Sequence, residues 1–216
     1  VRLVTLGVGA QASPRYAPAG LLVLHAGMRV VIDGGGGGLP RTGLDAWLVT
    51  DERSELIAHI RRLADRRGLV PALGPFQRRG LCIVGRPVVH TSHPTCGYLI
   101  EAAGITVVWA PEFYEFPRWA RRADLMFAEA AAWNRPIRFV GGAGGHLDVQ
   151  ATARAAKRNG IKRLVFAHIG RPTLRALDRG LRPSFGEFAR DGQVFRVARR
   201  IRSLSRTSRT ARSTSR

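Results

Sequence analysis

Carboxylates and imidazoles recur where apolar runs give way to polar turns. Asp51 and Glu55 follow Ala46–Val49, and His90 and His93 follow Leu81–Val89. Glu112 follows Ile105–Ala110, Glu129 closes Asp124–Glu129, and His168 follows Arg163–Ala167. His146 sits in a glycine-rich loop, Gly141 to Gly145, just before a helical pattern. Oxygen and imidazole donors of this kind suit a divalent metal such as Zn²⁺, Mn²⁺ or Fe²⁺. A metal of that class lowers the pKa of a bound water and polarises a phosphoryl or carbonyl oxygen. Each residue also has a structural reading. A strand-end histidine can be a satisfied packing residue, and Thr50 or Ser54 can cap a helix whose N-terminal dipole favours Asp51 and Glu55.

The elements that would position these groups follow from the periodicity. Ala46–Val49 is an apolar run of strand length, and Leu56, Ile57, Ile60 and Leu63 then repeat at helical spacing. The intervening turn, Thr50 to Glu55, lies at the carboxyl end of a strand, where α/β proteins place their chemistry. The helix is predicted over Ser54–Arg67, stopping at Gly68. Arg2–Leu6 reads as a strand, and Gly20–His25 with Arg29–Ile32 as a hairpin. Leu69–Leu73 reads as a short strand broken up by Pro71, Gly74 and Pro75. Leu81–Val89 is a further strand, and Tyr98–Ala102 with Ile105–Ala110 forms a second hairpin around Ala103-Gly104. Pro117–Arg122 is expected as a short helix, Asp148–Asn159 as an amphipathic helix closed by Gly160, Leu174–Arg179 as a last helix and Gln193–Val197 as a last short strand. Hairpins early and alternating elements later fit two sheets with helices outside them better than one doubly wound sheet. In such a sandwich the strand ends gather at one rim.

Composition narrows the function classes. The 216 residues carry a net charge of +20, with 45% hydrophobic content. Eight of the arginines fall in Arg196–Arg216, which contains no acid, so the body itself remains basic. A basic body suits an anionic small-molecule or nucleic-acid substrate. No apolar run reaches the length of a membrane span and no secretory leader is visible, so a cytoplasmic protein without a membrane partner is expected. Cys82 and Cys96 are too few for a disulfide scaffold and read as buried thiols. The glycine run Gly34 to Gly38 lacks the Lys-Ser/Thr of a phosphate loop and reads as a flexible loop beside a cleft. From about Ile201 the Ser/Thr/Arg tail is expected to be disordered.

Several segments together resemble the metallo-β-lactamase fold superfamily, in its ribonuclease Z and phosphodiesterase-like branches. They are Leu6-Gly7-Val8-Gly9-Ala10 followed by Leu21-Leu22-Val23, Val30-Val31-Ile32-Asp33, Cys96-Gly97-Tyr98-Leu99-Ile100-Glu101, Ala123–Ala130 and Gly160–His168. The resemblance runs from about Leu3 to Pro172. It implies a four-layer αβ/βα sandwich of two mixed β-sheets flanked by helices, with the site on one rim. With the tail read from its composition, residues 1–200 are expected as one domain of this kind and 201–216 as a basic tail, and a homodimer is a possible assembly.

What the resemblance implies for the site is a divalent metal, Zn or Mn, held by Asp51, Glu55, His90, Glu112 and His168, with His93 and His59 as substitutes. Glu129 and His146 correspond to a pair that moves protons to the leaving group, in a hydrolase acting on a phosphodiester or other ester. The departures are equally specific. The signature His-x-His-x-Asp-His should fall at positions 51, 53, 55 and 56, which here are Asp51, Arg53, Glu55 and Leu56. A second reading follows, in which the fold has lost its metal, Arg53 pairs with Glu55 or Glu112, and the protein binds an anionic ligand or nucleic acid without catalysis.

Overall fold

The computed structural model describes residues 1–34, 37–40, 42–142 and 144–198. The expected disordered tail, 201–216, and part of the glycine run lie outside them. The chain proceeds through β1 (Arg2–Gly7), β2 (Gly20–His25), β3 (Met28–Asp33), β4 (Ala46–Leu48) and α1 (Ile57–Asp65). It continues through β5 (Phe76–Arg78), β6 (Leu81–Val88), β7 (Thr95–Ala102), β8 (Ile105–Ala110) and β9 (Leu125–Ala130). A small hairpin, β10 (Ile137–Arg138) and β11 (Gly145–His146), precedes α2 (Val149–Arg158). Then come β12 (Leu164–Ile169), α3 (Arg171–Asp178), β13 (Glu187–Phe188) and β14 (Val194–Arg196). No described helix is long and apolar enough to cross a membrane.

One sheet has the order β14-β1-β2-β3-β4 and the other β13-β12-β9-β8-β7-β6-β5. Alternation along each strand explains the layering. In the first sheet Leu3, Leu21, Val23, Val30 and Ile32 face the second sheet and share its core with Ile83, Tyr98, Ile100, Trp109 and Phe127. The intervening residues Leu6, Leu22, Val31 and Trp47 face the other way, where Ile60 and Ala64 of α1 cover them. Helix α2 lies against β9 and β12 and adds Val149, Ala153 and Ala156 to the main core. The result is the four-layer sandwich that the resemblance implied, with the two sheets and outer helices that the alternation of elements implied.

Several boundaries differ from the local reading. Helix α1 starts at Ile57, with no side-chain cap at Leu56. The Ser54 carbonyl accepts the Ile57 amide at 3.0 Å as a turn, and the Thr50 hydroxyl instead donates to Asp33 at 2.9 Å. Leu69–Leu73 is not a strand; only an isolated bridge links Ala72 to Leu48, because Pro71 has no amide to continue a ladder. Residues 117–122 shrink to a 3₁₀ turn, Arg118–Ala120. Helix α3 begins earlier than Leu174, with Pro172 inside its first turn, where a missing amide costs nothing. Cys82 and Cys96 are free and only partly buried.

Candidate active site and metal centre

Strands β8, β9 and β12 run parallel side by side. Their carboxyl ends therefore open on the same rim, and that rim carries Glu112, Glu129 and His168. The β6–β7 turn brings His90 and His93 to it, the residues after β4 bring Asp51, and the β10–β11 hairpin brings His146. All of these except the fully buried Glu129 line one cleft of about 710 Å³.

Glu129 is the hub. It is fully buried, and each of its oxygens takes two donors. Oε1 accepts the Ala131 amide at 2.8 Å and His168 Nδ1 at 3.3 Å. Oε2 accepts His146 Nδ1 at 2.8 Å and the Phe113 amide at 3.2 Å. Burial alone would raise its pKa, but the charge and hydrogen bond of His146, joined by His168, hold it below the usual carboxylate range.

His168 reaches this hub through a local irregularity. The β12–β9 register shifts between Phe166 and Ile169, and His168 has φ +57°. A non-glycine residue in the left-handed region is uncommon and, next to a bulge, re-aims the side chain. His168 thus meets Glu129 through Nδ1 and Glu112 through Nε2, the latter at 3.3 Å. Burial lowers its pKa, but the two carboxylates more than reverse this and raise it to about 9.

His90 is fixed from the other side. Its Nδ1 lies 2.9 Å from the Gly145 carbonyl. A carbonyl only accepts, so Nδ1 carries a proton and donates it. Nε2 then faces Glu112 at 2.6 Å. Burial pushes His90 down, the hydrogen bond and charge of Glu112 push it up, and the net shift is upward. Glu112 itself is held far below its ordinary value, since His168 and His90 outweigh its burial. Phe139 packs edge-on against both His90 and His146, at centroid distances of 5.4 and 5.3 Å. The His146 ring lies 4.9 Å from that of His90 and stacks on that of His168 at 5.2 Å.

A family model described as the beta-lactamase superfamily domain matches residues 43–169, which is more than half of the chain. The protein belongs to the beta-lactamase superfamily. Among solved structures, the metallo-beta-lactamase fold protein YhfI from Bacillus subtilis is 17% identical with a TM-score of 0.71, covering 90% of this chain and 99% of that one. A diphosphatase of the PhnP family is 16% identical with a TM-score of 0.63, covering 91% and 98%. Human tRNase Z, short form, is 15% identical with a TM-score of 0.61, covering 92% and 100%. At these identities the likeness is one of fold. No curated protein matches the sequence.

Within this superfamily member the polar residues separate into three groups. His90, Glu112, Glu129, His146 and His168 form one connected network. Asp51 and His93 form a second: His93 Nε2 lies 2.9 and 3.0 Å from the two Asp51 oxygens, and Asp51 Oδ1 also accepts the Arg53 amide at 2.7 Å. The side chains of Glu55, His59 and Arg53 are exposed, and Arg53 and Glu55 line the same cleft. Among the described residues Arg53 makes no ion pair with Glu55 or Glu112, so the Arg-for-metal pairing expected of the second reading does not form.

The donors fit a divalent ion in one arrangement and not in another. Glu129, His146 and His168 have ligand atoms within 4.8 Å of one another, but both Glu129 oxygens are saturated by four donors. A carboxylate offers about four lone-pair sites, so Glu129 orients imidazoles and has none left for a cation. His90 and His168, in contrast, have Nδ1 tied to an acceptor and Nε2 aimed at Glu112. That is how metal-binding histidines are held, one nitrogen fixed by an outer acceptor and the other presented. His90 and His168 therefore each present Nε2 at Glu112, a donor set of the kind divalent ions take, while among the described residues only Glu129, His146 and His168 bring three ligand atoms within 4.8 Å of one another.

Sequence reasoning noted Asp33 as the end of a strand and gave it no role at the site. Its carboxylate accepts Trp109 Nε1 at 2.8 Å, the Thr50 amide at 2.7 Å and the Thr50 hydroxyl at 2.9 Å. It thereby ties β3 to β8 and to the turn that starts the cleft. Burial raises its pKa to about 6 despite these donors. Its φ of +54° is the backbone counterpart of a strand that must stop abruptly beside the site. An aspartate closing an apolar strand just before glycines was the available signal.

Proposed function

We propose that the protein is a metal-dependent hydrolase of a phosphodiester or another anionic ester. The observation that carries this reading is the pair of imidazoles, His90 and His168, each with Nδ1 anchored and Nε2 directed at Glu112. His90, Glu112 and His168 would hold the ion. When bound there, a divalent metal supplies Lewis-acid polarisation of the scissile group and a nucleophile from water near neutral pH.

The chain's own residues supply the rest. His146 has Nδ1 bonded to Glu129, which leaves Nε2 to give a proton to a leaving oxygen in the cleft. Glu129 fixes the orientation of that ring, a sound general-acid arrangement. Arg53 and Arg171 line the cleft, and the body is basic, so an anionic substrate, including a nucleic acid, is drawn to the mouth. Ile137, Phe139, Leu56 and Ile60 give the same cleft apolar walls that exclude water around the proton transfer.

The test is turnover by untagged protein loaded with Zn²⁺ or Mn²⁺, using a bis(p-nitrophenyl) phosphate, oligonucleotide and lactone panel. Turnover that disappears on chelation and returns with metal supports the proposal. Protein that takes up no metal and hydrolyses none of the panel points to the non-catalytic reading instead. In that case anionic-ligand affinity falling with salt would be the remaining activity.

A further inference from the structure

A second cleft, of about 380 Å³, is built from two of the elements that wall the first. The loop after β1 gives residues 9–12 to the first cleft and Arg15 and Tyr16 to the second. Helix α3 gives Arg171 and Pro172, at its start, to the first, and Leu177 and Asp178, at its end, to the second. The two elements are clamped together there: Arg15 Nη2 donates to both Asp178 oxygens, at 2.8 and 3.0 Å. Between the clefts α3 buries Thr173, Leu174 and Ala176 and leaves Arg171, Arg175 and Arg179 exposed. Residues four apart share a helix face and stand about 6 Å apart along its axis, so these three arginines form one row.

We propose that this row and the second cleft bind a single-stranded nucleic acid, its phosphates following the arginines of α3 away from the first cleft and one of its bases lying on Tyr16. The inference names a substrate class and rests on the phosphodiester reading above. The charge balance supports it. Asp178 is the only acid of α3 and is held by Arg15. Glu187, on the wall of the second cleft, is held by Arg163 at 2.7 Å. Arg182 and Arg190 line that cleft and are exposed. Among the described residues neither they nor the arginines of the row make an ion pair. A guanidinium offers a planar fork that matches a phosphate. Arginines beside an aromatic ring hold single strands, the charges taking the backbone and the ring a base. Tyr16 is half-buried; it packs on the core and also lines the second cleft, so its ring is both fixed and reachable. A small ester would occupy the first cleft alone and leave the row unused.

Fluorescence anisotropy with dye-labelled octathymidylate tests this on the full chain without metal. Each phosphate contact to a single strand contributes about 0.7 to the slope of log K against log salt. Arg175→Ala and Arg182→Ala should each reduce that slope by about 0.7, and so the affinity by about five-fold at about 0.1 M salt. Tyr16→Ala should weaken binding at least about five-fold, the lower end for one base–aromatic stack, with the slope unchanged, and Tyr16→Phe should keep the parent affinity. The arginines are exposed, so their variants carry the test even where circular dichroism shows Tyr16→Ala to be misfolded. Arg79→Ala removes the same charge from the β5–β6 turn, at the opposite edge of the seven-stranded sheet from β13, and should change the affinity by less than about two-fold, because salt screens charges that far from the row. Unchanged affinity and slope in Arg175→Ala and Arg182→Ala, an equal loss in Arg79→Ala, or equal affinity for octaglutamate overturns the proposal. None of these measurements uses metal or turnover, so their failure leaves the hydrolase reading intact, and a failure of the hydrolysis panel leaves the binding result standing.

Discussion

Replacing Glu129 with glutamine probes the hub with almost no change of shape. The side chain is fully buried and receives four donors on two oxygens. An amide keeps one oxygen. Whichever way it is flipped, its NH₂ must face one backbone amide and one imidazole N–H, all donors. Two hydrogen bonds are lost and their buried donors go unpaired, at about 1–3 kcal/mol each. Breaking a buried charge pair by removing one partner costs about 3–5 kcal/mol. The two estimates overlap near 4 kcal/mol, and no cavity contributes because the volume is conserved. The assay is equilibrium urea unfolding of metal-free protein at pH 7.5, parent against Glu129→Gln. With a slope of about 2 kcal/mol/M the midpoint should fall by about 2 M. The pH dependence has a definite sign. Glu129 is held below its ordinary value of 4.5 in the fold, so its stabilisation is complete above that value and is lost as pH falls through the folded pKa. The gap between parent and variant should be flat above about pH 5.5 and narrow below pH 4.5. A gap under about 1 kcal/mol at pH 7.5 would refute the hub, because two unpaired buried donors cannot be that cheap.

Three other outcomes follow from the geometry. His146→Ala should lower kcat about 10²–10⁴-fold on an alkyl phosphodiester and far less on a p-nitrophenyl ester, whose leaving group needs no proton, as steady-state kinetics on both will show. Asp33 should titrate near 6 by carbon-13 NMR; because its folded value lies above its ordinary 3.8, the fold loses stability as pH rises between the two, by about 3 kcal/mol, and Asp33→Asn should flatten that slope in denaturation curves. Gly144→Ala should be destabilising and should loosen His90, since a Cβ there would lie 2.1 Å from the His90 carbonyl at φ +141°; a loss of more than about 2 kcal/mol in melting or urea curves is expected, and an unchanged midpoint would contradict it.

The polar strand ends were legible because each lies at a change of local pattern. Glu112, Glu129 and His168 come together because β8, β9 and β12 are parallel neighbours, and the alternation of elements already pointed to strand ends sharing a rim; the β10–β11 hairpin adds His146. What was not legible is how the histidines are divided. His90 and His93 sit three residues apart in one turn, with nothing local to separate them. The fold assigns His90 to Glu112 and Gly145, and His93 to Asp51. Asp51 and Glu55, adjacent in one predicted helix start, likewise part: one is paired and the other exposed. Helix α1 starts at Ile57, beyond both, and Thr50 gives its hydroxyl to Asp33 instead of to a cap.

By itself, then, the sequence determined the longer strands, the two-face burial of the sheets and the order in which carboxylates and imidazoles reach the rim. These are consequences of side-chain period and turn chemistry, which are local. The tertiary structure alone decided which donors remain open. Glu129 becomes an orienting group rather than a ligand because amides of residues 113 and 131 reach it. His168 faces both carboxylates because a register shift against β9 turns it there. Hydrogen-bond saturation and side-chain aim depend on partners distant in the chain, and no window of sequence contains them.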